Sequence, residues 1–140
     1  YLLERCKQVV EPAGAASVAA LMNKQKMFKG KNVCCILSGG NVDMNTLGNI
    51  IDQGLFSRYR KAEFILQVED SAKRIEEIMS IFIESGANIL YFTLDKIPKR
   101  QDVPLQRIYI ACELRGKDHY NSIYSQLTKL GYGISNKFTE

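Results

Sequence analysis

Between Glu63 and the C-terminus the apolar positions switch between two periods, and the order of the switches predicts a fold. Glu63 to Val68 alternates apolar and polar residues, the period of two expected of a strand with one buried face. Lys73 to Glu84 then sets Ile75, Ile78, Met79, Phe82 and Ile83 at helical spacing, and Gly86 offers a residue able to close that helix. Asn88 to Leu94 reads as a second strand, a polar loop with Pro98 and Pro104 follows, and Leu105 to Leu114 reads as a third. Tyr120, Ile123, Tyr124, Leu127 and Leu130 give a second helix stopping at Gly131, before a last strand from Tyr132 to Phe138. The order β-α-β-β-α-β puts two helices on one face of a four-stranded antiparallel sheet, the ferredoxin-like arrangement. Such a unit folds by itself, so a boundary is expected near Arg58 to Ala62.

The first part of the chain follows another pattern. Residues 1 to 10 are short and end in apolar residues before Glu11-Pro12, where Pro12 suits the first turn of a helix because its missing N–H costs nothing there. Ala13 to Met22 is dominated by alanine and predicts a thin, closely packing helix. A lysine-rich connection breaks the pattern, and Val33 to Leu37 is almost wholly apolar, as expected of a strand covered on both faces in a parallel sheet. Ser38-Gly39-Gly40-Asn41 ends that run, Asn45 or Thr46 can open a helix carrying Leu47, Ile50 and Ile51, and Gly54 can close it. One strand between two helices is not a domain, and its expected partner strands are not found in this sequence.

Charge separates the same two parts. Residues 1 to 61 hold nine Lys or Arg against four Asp or Glu, whereas residues 62 to 140 hold ten against eleven. Lys24, Lys26, Lys29 and Lys31 crowd one connection with only Phe28 as an aromatic neighbour, so a solvated loop is preferred to a nucleic-acid surface. Cys6, Cys34, Cys35 and Cys112 lack metal-ligand spacing, and the adjacent pair is expected to pack as small apolar groups on opposite faces of the strand. Free thiols point to a reducing, cytoplasmic setting. Organelle targeting stays open because the sequence starts at Tyr1 rather than Met. No apolar run approaches the length of a membrane span.

Few residues outside the glycine turn offer chemistry. His119, the one histidine, lies near the start of the last helix with no Ser or Cys nucleophile pattern beside it, and reads as a surface or capping group. Glu76 and Glu77 diverge on their helix, and Asp70 precedes it, so all three read as solvated charges. The scattered tyrosines and phenylalanines read as core and interface filling. Ser38 to Asn41 differs, because a hydroxyl and unencumbered backbone amides stand where a buried strand ends, the place at which open α/β sheets bind ligands. Taken alone, the glycine pair is equally a tight turn.

Two motifs together narrow the choice. Glu11 to Ala15, EPAGA, and Ser38 to Asp43, SGGNVD, resemble in order and spacing the end of the catalytic domain of the pyridoxal-phosphate-dependent threonine and serine dehydratases, a group that includes serine racemase. The later part resembles the ACT-type regulatory domain that follows it in some members. The resemblance implies an α/β chain made of the C-terminal piece of a fold-type II, tryptophan-synthase-β-like catalytic domain over residues 1–60, then a ferredoxin-like βαββαβ ACT-type domain over 61–140. It implies pyridoxal 5'-phosphate as cofactor, with Ser38 at the pyridine nitrogen, Gly39, Gly40 and Asn41 shaping the adjoining turn, and Glu11 at the pocket wall. A neutral hydroxyl can hydrogen-bond the ring nitrogen but cannot hold it as a pyridinium cation as an aspartate does. The implied reaction is β-elimination from threonine or serine to a 2-oxo acid and ammonia. The family's cofactor-bearing lysine and phosphate loop lie upstream of the matching region, so no catalytic residue falls in this chain and the fragment alone is expected to be inactive.

The ACT resemblance weakens at one turn. Such domains carry Asp-x-Pro-Gly after the first strand, whereas Asp70, Ser71, Ala72 and Lys73 stand here. A lysine at the glycine position adds bulk where an amino-acid effector would approach, so subunit contact in a homo-oligomer is favoured over sensing. Two other readings remain: a non-catalytic ACT-type binding or dimerisation module, and a basic interaction protein using the Lys24 to Lys31 loop. Neither a metal nor a membrane is implied.

Overall fold

The computed structural model describes residues 1–97 and 104–135, and it divides into two compact units, Tyr1–Ile50 and Ile51–Glu140. The expected final strand is seen as far as Ser135, and its continuation to Phe138, like Pro98, lies outside the described residues.

The first unit is built of short pieces. A single π-helical turn, Leu2–Cys6, ends at Lys7 in a left-handed conformation. A turn over residues 12–15 leads into α1, Ala16–Asn23, and then into α2, Gln25–Phe28. The helix therefore starts three residues later than the alanine run suggests. No strand forms over Val33 to Leu37; Val33 and Ile36 are 41% and 78% exposed. Cys34 is likewise exposed and Cys35 half-buried, not packed as expected. The cause is simple: a strand exists by its ladder, and no neighbouring strand is present in this unit to supply one. Gly14 alone is buried among its residues.

α3, Met44–Ser57, begins in the first unit and ends in the second. Its cap is Asp43, one residue upstream of the helix and ahead of the expected Asn45 or Thr46. The Thr46 N–H donates to Asp43 Oδ1 at 2.9 Å and the Thr46 hydroxyl to Oδ2 at 2.6 Å. The hydroxyl's bond, followed by the amide's, holds the Asp43 carboxyl below its ordinary range. Gly54 does not close this helix, because a single glycine costs only about 1 kcal/mol in a helix interior.

The second unit has the predicted order: β1, Lys61–Glu69; α4, Ala72–Ser85; β2, Asn88–Ile97; β3, Leu105–Glu113; α5, Lys117–Lys129; β4, Gly133–Ser135. The strands lie in the order β2-β3-β1-β4, all neighbours antiparallel. Alternate residues of β1, Ala62, Phe64, Leu66 and Val68, are buried with Ile108, Ile110 and Cys112 of β3 beneath Ile78, Ile81 and Phe82 of α4 and Ile123 and Leu127 of α5. Phe64 meets Phe82 edge-on with ring centroids 5.4 Å apart and stacks on Tyr120 at 5.6 Å. Burial pushes the Cys112 thiol up to about 12, so it remains protonated and acts as a small apolar group. The one buried polar side chain described, Gln106, donates from Nε2 to the Glu69 carbonyl at 3.1 Å and fixes the end of β1.

Candidate functional site

EPAGA and SGGN, far apart in sequence, meet in the first unit. The Glu11 N–H donates to the Gly39 carbonyl at 3.0 Å, and the Ser17 hydroxyl donates to the Ile36 carbonyl at 2.8 Å. Between those two bonds the chains are in van der Waals contact. A Cβ at residue 14 would overlap the Ser38 carbonyl oxygen, and one at residue 39 would run into the Glu11 side chain. Gly39 also has φ +71°, a left-handed conformation that residues with a Cβ adopt at a cost. Gly14 is thus required by the fit of one motif to the other, and Gly39 by its own backbone conformation. The fold of the turn is completed by the Ala15 N–H on the Glu11 carbonyl at 3.0 Å and the Val42 N–H on the Gly40 carbonyl at 3.0 Å.

The fit leaves a hydroxyl and a carboxylate on one small surface. Ser38, Gly40 and Asn41 are exposed, and Glu11 is half-buried against Gly39. An exposed hydroxyl followed by two glycines is a donor able to reach the edge of a flat heteroaromatic ring, and it can donate to an unprotonated ring nitrogen. The Ser38 hydroxyl therefore fits a pyridine edge, and the Glu11 side chain braces the turn through its contact with Gly39. Sequence reading singled out Ser38, Gly39, Gly40, Asn41 and Glu11 but not Gly14. Its signal was the glycine inside EPAGA, in a helix-opening turn where alanine would otherwise serve.

Elsewhere the candidates resolve into structure. Lys24, Lys26, Lys29 and Lys31 are all exposed. The Asp70 carboxylate is paired with Lys96 at 2.9 Å, and its N–H donates to the Pro104 carbonyl at 2.9 Å. Glu77 accepts from Arg74 at 2.9 Å and from the Tyr132 hydroxyl at 3.3 Å, so two of the charges read as solvated are tied down. His119 Nδ1 accepts the Arg115 N–H at 3.1 Å, while the Arg115 guanidinium donates to the Ser85 and Gly86 carbonyls at 2.8 and 3.2 Å. These bonds clasp the start of α5 to the end of α4. Among the described residues no group of three or more His, Cys, Asp or Glu could hold a metal ion, and no helix is long and apolar enough to cross a membrane.

Comparison with known proteins gives the chain its relatives. It is 35% identical over 134 residues to the L-threonine ammonia-lyase of Thermotoga maritima, and 32% identical over 131 residues to that of Geobacter sulfurreducens. Matches of this length support the reading of the chain as a C-terminal part of a threonine dehydratase. The biosynthetic L-threonine dehydratase of Bacillus subtilis is 30% identical over 128 residues. These alignments take in 96%, 94% and 91% of this chain, which spans about a third of each relative's length. No family model matches. The βαββαβ sheet of the second unit is consistent with the ACT-like domain of a threonine dehydratase.

Proposed function

We propose that this chain is the C-terminal part of a pyridoxal-phosphate-dependent L-threonine and L-serine ammonia-lyase, with residues 1–60 completing the catalytic domain and 61–140 forming an ACT-like domain. The observation that carries the reading is the seating of EPAGA against SGGN through Gly14 and Gly39, which leaves Ser38 at an exposed turn with Glu11 behind it. In this role Ser38 donates to the pyridine nitrogen of pyridoxal 5'-phosphate, Gly39, Gly40 and Asn41 leave room for the ring's edge, and Glu11 braces the turn. The cofactor supplies an electron sink for β-elimination, which releases a 2-oxo acid and ammonia. A hydroxyl keeps the nitrogen neutral, a setting that favours rapid loss of the β-hydroxyl over accumulation of a carbanion.

The second unit serves subunit contact in a homo-oligomer, and the free thiols fit a reducing cytoplasm. The alternative, a non-catalytic ACT-type amino-acid-binding or dimerisation module, draws support from the second unit having its own core; racemisation of serine is a close variant of the lyase reading. The test uses the whole protein and this 140-residue chain side by side, each with pyridoxal phosphate and L-threonine. The whole protein is expected to form 2-oxobutanoate and the chain alone none. A whole protein without turnover on threonine or serine, or a chain that turns over by itself, overturns the reading.

A further inference from the structure

The helices cover one face of the sheet; the other face is ordered in rows. Register places Glu63, Ala111 and Tyr91 side by side across β1, β3 and β2, then Ile65, Tyr109 and Thr93, then Gln67, Arg107 and Asp95. Ala111 is small, and a depression of about 350 Å³ opens around it, walled by Glu63, Ile65, Tyr91, Thr93, Asp95 and Tyr109. Two carboxylates and two phenol rings around a gap fit a guanidinium, which pairs with carboxylates through its planar fork and stacks on aromatic faces. Tyr91 is 60% exposed and faces the opening. One such cation sits four residues from Ala111 along β3: Arg107 is exposed, and its Nη1 donates to the Tyr109 hydroxyl at 3.2 Å.

We propose that this open sheet face pairs with the same face of a second copy of the chain, Arg107 of each copy entering the other's Ala111 depression between Glu63 and Tyr91. The register makes the two faces self-complementary. A two-fold axis between the sheets, perpendicular to the strands and passing over the Ile65–Tyr109–Thr93 row, lays the Arg107 row of each copy over the Ala111 row of the other. Each guanidinium then meets a carboxylate and a ring, Gln67 rather than an acid faces Glu63, and Ile65 and Tyr109 meet their own counterparts in the centre. Isologous contacts of this kind satisfy each charge pair twice. Two faces about 10 Å apart leave side chains of this length able to interdigitate. This rests on the subunit-contact role given above to the second unit and names the surface that performs it.

Analytical ultracentrifugation of the chain over a concentration series tests it without cofactor or substrate, so failure here is separate from failure of the lyase reading. The parent chain is expected to self-associate. Arg107→Glu should weaken the dimer by about tenfold or more, and adding Glu63→Arg to it should recover most of the affinity. Tyr91→Arg, at an exposed position outside the core, sets like charges face to face and should weaken it as well. Circular dichroism confirms that each variant keeps its fold. A chain monomeric at every concentration, a dimer indifferent to Arg107→Glu and Tyr91→Arg, or a charge swap that recovers nothing overturns the proposal and points to the strand edges, the helix face or another protein as the contact.

Discussion

Gly14 lies directly beneath the Ser38 carbonyl oxygen, so that the Cα of one motif occupies space the other motif closes. Backbone rather than a flexible side chain stands in the way, and the turn around Ser38 must move if residue 14 gains a methyl group. Gly14→Ala in the whole protein should therefore destabilise it by about 1–3 kcal/mol, the usual cost of overpacking, and displace Ser38. Gly39→Ala should cost less, about 1–2 kcal/mol, because the Glu11 side chain its Cβ meets can turn aside and the positive φ is what remains. Urea unfolding together with cofactor affinity checks both; a Gly14→Ala protein as stable as its parent, with unchanged affinity, contradicts the packing argument.

Phe64 is fully buried between Phe82 and Tyr120. Phe64→Ala should lower the stability of the second unit by about 3–5 kcal/mol, the range for truncating a buried aromatic. Thermal or denaturant unfolding followed by circular dichroism gives the value directly, and a loss under about 1 kcal/mol would mean that the core is assembled differently.

His119 makes the second unit pH-sensitive in a defined direction. Burial, then the charge of Arg115, hold its imidazole below the usual 6.5, against the opposing pull of the Ser85 backbone. A folded value below the unfolded one means that the unfolded chain binds the proton more readily. The contribution is therefore complete above about pH 6.5 and is lost as pH falls from there through the folded value. His119→Asn keeps an acceptor in place for the Arg115 N–H and removes the titration, so its melting temperature should fall less than the parent's between about pH 7 and pH 5. Equal falls in both proteins would assign the acid sensitivity to other groups.

The second unit was legible in sequence because its signals are local and self-sufficient. Phe64, Leu66 and Val68 alternate over a core that the same unit supplies, and Gly86 takes the left-handed conformation that its place after Ser85 suggests. Val33 to Leu37 shows the opposite case. Its composition is that of a buried strand, but no ladder stands beside it in this unit, and Ile36 is exposed. The candidate site was half legible: the residue types at Glu11 and Ser38 through Asn41 suggested a chemistry, while the Gly14–Ser38 approach exists only in three dimensions. His119, read as a surface or capping group, holds a turn, but its partner Arg115 carried no sequence signal.

Under the proposed function the Ser38 hydroxyl meets the ring nitrogen of pyridoxal phosphate in the whole protein. The most direct measurement is the nitrogen-15 chemical shift of the labelled cofactor's pyridine nitrogen in the whole protein and in its Ser38→Asp variant. A neutral ring nitrogen in the parent that becomes a pyridinium in Ser38→Asp, with lyase turnover reduced by about tenfold or more, is the predicted result. A pyridinium already present in the parent, or a shift that Ser38→Asp leaves where it was, contradicts the assignment.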